Sequence, residues 1–121
     1  MVALPESLEQ HQFCYLTTTG RVTGRPHRIE IWFVIIDGRL FLNSGGGKSS
    51  DWVKNLIADP AVRIELGDEE WSAIATVREE AADHPARELL AERYQDWRPG
   101  RALSGWASDS LLVEIEVPGR I

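Results

Sequence analysis

The chain has 121 residues, a formal net charge of −6 and a pI near 5.0, which suits one domain and argues against nonspecific nucleic-acid binding through an extended basic face. No apolar run approaches the roughly 18–20 residues of a membrane span, and the N-terminus lacks the pattern of a secretory signal. We therefore expect one cytoplasmic domain over residues 1–121, with no transmembrane segment and no nucleic-acid partner.

Period-two alternation of apolar and polar residues predicts about six strands. In chain order they cover residues 13–19, 26–36, 39–43, 62–66, 71–79 and 111–117. The clearest alternation, in the fourth and sixth of these segments, is typical of half-buried strands. An Asp-Gly pair at 37–38 predicts a tight hairpin between the second and third strands.

Helical spacing predicts two or three helices. One starts at the serine pair 49–50, which can cap it, and stops at an Asp-Pro pair. A longer one starts at Asp83, places Tyr94 and Trp97 on its apolar face, and stops at a Pro-Gly pair. Residues 4–10 can form a further short helix.

The order of these elements predicts the fold class. The first three strands follow one another without a crossover helix, so a parallel sheet is disfavoured. We expect a mainly β (α+β) fold, an antiparallel barrel of about six strands with two or three helices.

Cysteine and histidine are too sparse for a structural zinc site, so no metal is predicted. The one cysteine, Cys14, lies within an apolar strand and cannot form an internal disulfide. An inert, packed thiol is the favoured interpretation.

A basic turn stands out in this acidic chain. It carries Arg21, Arg25 and Arg28, with His27 beside them, and no acidic residue occurs between positions 10 and 29. Guanidinium groups bind phosphate or carboxylate in a bidentate manner. The turn is therefore either an anion site or an ordinary polar hairpin with solvated arginines.

A second glycine-rich segment, SGGGKSSDW, begins at Ser44 and runs into the first predicted α-helix. A helix N-terminus offers free N–H groups and a favourable dipole to an anion. The spacing is not that of a Walker motif. If both segments face one groove, with Trp32 and the second strand as its floor, the groove suits a planar ring that carries phosphate or carboxylate groups.

Three motifs in this order resemble the deazaflavin (F420)-dependent nitroreductase family, within the split β-barrel group of flavin-binding and pyridoxamine-phosphate-oxidase-like proteins. They are LTTTGRVTGRP with the tryptophan that follows it, the SGGGK glycines, and DWVKNLIADP. The resemblance is good from residue 13 to about residue 66. It implies a homodimeric split barrel that uses reduced coenzyme F420 to transfer a hydride to a quinone, a nitroaromatic or a similar activated acceptor.

The resemblance also implies which residues bind the cofactor, whereas no catalytic residue is assigned. The proposed set extends from the basic turn through the glycine loop into the helix, and comprises Arg21, Thr23, Gly24, Arg25, Arg28, Trp32, Ser44, Gly45, Gly46, Gly47, Lys48, Trp52 and Asn55.

Two positions depart from the family pattern. Val22 stands where many members have lysine, which removes one cation from the tail-binding patch. Asp51 stands where many have proline, and its charge can repel an anion that binds nearby.

Alternatives remain open at this stage. The same fold could hold FMN in place of F420, or be a non-catalytic protein that binds a cofactor, haem or lipid. Trp52 is more often a core residue than a ring-stacking one, and Asn55 could serve a loop hydrogen bond. Trp71, Trp97 and Trp106 are interpreted as packing or dimer-interface residues, with a smaller chance that one covers the acceptor pocket.

Overall fold

The computed structural model describes residues 1–79 and 81–118. Its strands are β1 (Cys14–Thr19), β2 (Pro26–Ile31), β3 (Val34–Ile36), β4 (Arg39–Ser44), β5 (Ala61–Leu66), β6 (Glu69–Arg78) and β7 (Leu111–Glu116). Its α-helices are α1 (Asp51–Ala58), α2 (Pro85–Tyr94) and α3 (Gly105–Asp109), and Glu6–Gln10 and Gly47–Ser49 form short 3-10 helices. The mainly β, α+β fold is confirmed, and the described residues form seven strands instead of the predicted six.

All seven strands form one antiparallel sheet in the order β2-β1-β5-β6-β7-β4-β3. The outermost strands, β2 and β3, are consecutive in the chain and are separated only by Trp32 and Phe33. In a flat sheet these strands would lie about 29 Å apart, whereas the linking segment can span only about 11 Å. The sheet must therefore curl until its two edges meet.

The predicted single strand over residues 26–36 is wrong, because the chain changes from one sheet edge to the other within it. At the junction the backbone of Phe33 bonds to α2 instead of to a neighbouring strand. Its N–H donates to the Tyr94 hydroxyl at 3.1 Å, and its carbonyl accepts from Arg93 Nη1 at 2.8 Å. The apolar sequence continues through this point, so periodicity alone does not reveal the break.

The curled sheet encloses the main core. Leu16, Leu42, Ile64 and Ile115 are fully buried inside the curl, and Leu56 of α1 packs against them. A smaller core lies outside the sheet, where α2 covers β3, β4 and β7, and it includes Phe41 and Leu90. Apolar packing therefore lies inside the curled sheet and also on the part of its outer face that α2 covers.

The helix ends differ from prediction. His84, not Asp83, caps α2, because its Nδ1 accepts from Ala86 N at 3.1 Å. The helix ends at Tyr94, so the prediction that Trp97 extends its apolar face is wrong. The short helix α3 was not predicted, since five residues give too little periodicity. The predicted hairpin at 37–38 is confirmed, and both of its residues have positive φ.

The longest α-helix in the described ranges has ten residues, about half of what a membrane span requires. Among the described helices none is both long and apolar enough to cross a bilayer.

Candidate functional site

The basic turn is a compact loop between β1 and β2. Gly20 N donates to Arg25 O at 2.7 Å, and Gly24 N donates to Gly20 O at 2.8 Å. Thr23 Oγ1 accepts from Arg25 N at 3.2 Å, which fixes the tip of the loop. A Cβ on Gly20 would lie 2.6 Å from His27 Nε2, so the imidazole packs closely over the backbone of this glycine. The loop therefore presents its cations on a defined backbone.

A buried asparagine joins this turn to α1. Asn55 is 3% exposed, and its Oδ1 accepts from Arg21 N at 3.2 Å and from Arg21 Nη1 at 2.8 Å. Its Nδ2 donates to Thr18 Oγ1 at 3.2 Å. The alternative that Asn55 serves a loop hydrogen bond is confirmed, and these bonds hold Arg21 against α1.

A cleft of about 200 Å³ lies where the turn meets α1, and its lining includes Arg21, Thr23, His27, Asp51 and Asn55. Arg21 Nη2 forms an ion pair with Asp51 Oδ1 at 3.1 Å. Because Asp51 is largely exposed, this pair contributes little to stability. Its carboxylate instead lowers the positive charge that Arg21 offers to an anion.

The glycine loop is organised by hydroxyl groups. Ser44 Oγ lies 2.7 Å from Ser50 Oγ and donates to Gly47 O at 3.1 Å. Ser50 occupies the N-cap position of α1, but its side chain makes no capping bond, contrary to the sequence expectation. A Cβ on Gly46 would lie 2.6 Å from Ser50 Oγ. The first-turn N–H groups of α1 are consequently left to solvent or to a bound anion.

The remaining predicted cations differ in setting. Lys48 pairs with Glu79, and both side chains are more than half exposed. Within the described residues Arg25 forms no ion pair. Arg28 lies elsewhere, because its Nε donates to Glu65 Oε2 at 2.8 Å and its guanidinium covers the ring of Tyr15 at 3.8 Å. The structure thus brings Arg21 to the α1 cleft and places Arg28 on the outer face of the sheet.

An aromatic cluster lies beside the glycine loop. Trp32 stacks on Tyr94 with a centroid distance of 4.5 Å and meets Trp106 edge-on at 5.5 Å. A Cβ on Gly45 would lie 3.3 Å from Trp106 Cδ1. Trp32 thus lies on the strand junction and close to the loop, although not within a strand as predicted.

The other tryptophans have packing contacts. Trp52 and Trp71 pack, partly buried, against the main core. Trp97 Nε1 donates to Arg101 O at 2.9 Å in the segment after α2. These contacts agree with the packing interpretation and leave a role of Trp52 beside a cofactor as a prediction.

Sequence reasoning missed the residues that support the junction. Arg93 Nη2 donates to the carbonyls of Glu9 and His11, and its guanidinium lies 4.4 Å from the ring centroid of Phe33. The Tyr94 hydroxyl donates to Gln12 O at 3.0 Å. These partners lie about 60–84 positions away in sequence, and no local motif indicates them.

Two pKa values define the chemistry that buried groups can perform. Burial raises the pKa of Cys14 to about 12, and the side chain is fully buried, so the prediction of an inert thiol is confirmed. Burial also raises the pKa of Tyr94, which keeps its hydroxyl protonated as a hydrogen-bond donor. Neither group is available as a nucleophile.

The donor set fits an anionic cofactor. Arg21, Arg25 and Lys48 are exposed or partly exposed, and their only ion pairs in the described chain are with exposed carboxylates. Exposed pairs exchange partners at low cost. The uncapped start of α1 adds backbone donors to the same region.

The architecture is shared with solved proteins. An F420-H2-dependent reductase aligns with a TM-score of 0.63 and 21% identity over 87% of this chain and 94% of that one. A candidate pyridoxamine 5'-phosphate oxidase from Listeria innocua gives 0.64 and 25% over 93% and 88%. The heme-storage protein HutZ from Vibrio cholerae gives 0.71 and 18% over 93% and 86%. The fold is thus that of a split β-barrel protein.

The F420H(2)-dependent quinone reductase family model matches residues 2–109. The chain belongs to this family. It is therefore an F420-dependent oxidoreductase, which confirms the predicted cofactor. The alternative cofactor, FMN, has no better support than F420.

Proposed function

We propose that this protein reduces quinones, and nitroaromatic or similar activated compounds, with the hydride that reduced F420 supplies when bound. The family match supports the quinone as acceptor class. The chain's own residues have three tasks: to hold the anionic parts of the cofactor, to orient the ring, and to exclude water.

The observation that carries the proposal is the joining of the basic turn to α1 through Arg21 and Asn55. It brings Arg21 and the uncapped helix start to one cleft. We assign the anionic tail to Arg21, Arg25 and Lys48. Arg28 would first have to leave Glu65 and Tyr15, so we assign it a smaller part than the sequence suggested.

The ring would be supported by the glycine-loop backbone and the side of Trp32. Trp32 is held by Tyr94 on one face and Trp106 at its edge. Because these two rings already hold Trp32 in place, its side chain needs little reorganisation on binding, which favours affinity. An acceptor would then bind next to the ring.

The test is a titration of the protein with F420 and FMN in parallel, followed by turnover with a panel of quinones. Replacing Arg21 and Lys48 together with alanine should weaken F420 binding about tenfold or more, since charge-assisted hydrogen bonds contribute about 1.5–3 kcal/mol each. The control is R63A/R98A, which removes two exposed, ion-paired cations elsewhere. Unchanged affinity in the R21A/K48A variant would remove this assignment.

Homodimer assembly and a cytoplasmic location stay predictions. The dimer is supported by the family resemblance and by the outer face of β2, β1, β5 and β6, where Thr17, Ser72 and Ile74 are not covered by a described helix. Light scattering with size-exclusion chromatography would test it. A mass of one 13.6 kDa chain would exclude the dimer.

A further inference from the structure

A second cleft lies beside the aromatic cluster, separate from the basic turn. Its volume is about 250 Å³. It is lined by three aromatic rings, one apolar side chain and two polar ones: Phe13, Trp32, Trp106, Ile31, Glu30 and Asn43. Phe13 is an exposed apolar residue at this cleft.

Asn43 is the unusual residue of this cleft. It is 5% exposed, and its Oδ1 is buried with no hydrogen-bond partner among the described residues. Its Nδ2 donates only a long bond of 3.4 Å to Trp106 O. Buried side-chain amides are almost always hydrogen-bonded, because an unpaired group loses its hydration without compensation.

The position of Asn43 follows from the register of the sheet. On β4, Leu40 and Leu42 point into the main core, whereas Phe41 faces α2. Asn43, two residues after Phe41, lies on that same outer face. There it meets Trp106 of α3. A leucine or valine at this position would satisfy the apolar surroundings, so the Oδ1 without a partner among the described residues has a stability cost.

We infer that this cleft is the acceptor subsite and that Asn43 selects planar aromatic acceptors carrying an oxygen substituent. This inference rests on the proposed function and narrows its substrate class. The amide can accept a bond from a ring hydroxyl through Oδ1 and can donate to a ring carbonyl through Nδ2. A quinone and its reduced diol present these two groups at the same ring positions.

The size and charge of the cleft favour the acceptor over the cofactor. Its volume is below the roughly 300–1,000 Å³ of sites for drug-sized ligands, so it suits a compound of one or two rings. No cation is among the described residues that line it, and Glu30 disfavours an anionic occupant. The contact between Gly45 and Trp106 places it next to the glycine loop.

The first experiment uses cofactor-free protein and two matched probes. Calorimetry compares 1-naphthol, which donates a hydrogen bond, with 1-methoxynaphthalene, which does not. The wild type should bind 1-naphthol about fivefold or more tightly than the ether, as expected for one hydrogen bond. Asn43→Leu should abolish this preference, and Trp106→Ala should weaken both probes. Trp97→Phe, outside the cleft, should behave like the wild type.

The second experiment separates binding from stability. Asn43→Leu should keep or raise the melting temperature, because it removes a buried amide whose Oδ1 is unpaired in the described structure. It should nevertheless raise KM for 1,4-naphthoquinone severalfold with F420 affinity unchanged. Asn43→Ala gives the same readouts if the leucine variant does not fold. Equal probe preference in wild type and variant would overturn the inference, as would displacement of 1-naphthol by F420.

The two proposals fail in different ways. Quinone turnover with no effect at Asn43 would overturn only the acceptor subsite. F420 binding without turnover of any quinone would overturn the proposed function and, with it, the assignment of acceptors to this cleft.

Discussion

The arginines of the basic turn and the arginines of α2 have the same side chain in opposite settings. Arg21 is partly exposed and pairs with an exposed carboxylate. Arg87 is 6% exposed and donates to three backbone carbonyls, of Ala81 at 2.7 Å, Ala107 at 3.1 Å and Ser110 at 2.8 Å. The first setting leaves a cation available to a ligand, whereas the second uses the cation to hold the chain together.

The bonding partners of each arginine indicate whether it serves stability or ligand binding. Arg87 and Arg93 bond to main-chain oxygens of the segments that α2 packs against, and these carbonyls lose a charged donor if the guanidinium is removed. Arg21 can release the exposed Asp51 carboxylate to water at little cost. Stability should therefore depend on α2, and cofactor binding on the turn.

The largest expected effect is at Arg87. Arg87→Met should lower the free energy of unfolding by about 3 kcal/mol, because three buried carbonyls lose a charged donor. The measurement is the urea midpoint. Arg25→Met, at an exposed position, is the matched control and should change stability by less than about 0.5 kcal/mol. Similar losses in both variants would refute the contrast between the two regions.

Tyr94 should show a smaller effect. Tyr94→Phe keeps the stack on Trp32 but removes the hydroxyl that bonds to Phe33 N and Gln12 O. We expect a loss of about 1 kcal/mol in urea unfolding. Tyr15→Phe removes a hydroxyl bonded to an exposed carboxylate and should be close to neutral. A larger loss at Tyr15 would contradict the assigned role of the strand junction.

Asp51 tests the prediction that the basic turn binds the cofactor. Asp51→Asn removes a negative charge from the cleft and frees Arg21. F420 binding should tighten about threefold, with little change in stability, since an exposed ion pair contributes about 0–1 kcal/mol. Asp68→Asn, at an exposed turn between β5 and β6, is the control in the same fluorescence titration. Weaker binding in D51N would show that this carboxylate supports the site.

His84 should give the smallest effect, through pH. Burial lowers its pKa, with Arg78 adding to the shift, and its neutral Nδ1 caps α2. Unfolded histidine titrates near 6.5. The unfolded state therefore takes up the proton first, so the stabilisation is present above about pH 6.5 and is lost as pH falls toward the lower folded pKa.

Urea midpoints at pH 7.5 and 5.5 check this prediction. His84→Asn keeps a residue that can cap the helix but does not titrate. The wild type should lose more stability than H84N between the two pH values. Equal losses would show that the cap does not depend on the protonation of His84.

Much of the fold was predictable from local patterns. The predicted strands over 62–66 and 111–117 correspond to Ala61–Leu66 and Leu111–Glu116 within one residue. The turn at 37–38 and the glycine loop running into a helix also follow from residues that are neighbours in sequence. Alternation and turn geometry are set within a few residues, so they are visible without tertiary structure.

The candidate site was predictable in composition but not in arrangement. The resemblance put Arg21, Arg28 and Asn55 in one set of cofactor-binding residues. The structure joins Arg21 to Asn55 and places Arg28 against Glu65. Which acidic partner each arginine meets depends on strand register between β1, β2 and β5, and that pairing connects positions far apart in the chain.

The sequence alone thus determined most of the strands, the basic turn, the glycine loop and the family resemblance, because each is encoded by residues a few positions apart. Only the tertiary structure decided that the chain changes sheet edges at Trp32 and Phe33, that Arg87 is a buried support, and that Asn43 meets Trp106. These features arise where the sheet curls and α2 packs across it. There the long-range packing overrides the local apolar pattern, which continues unchanged through the strand junction.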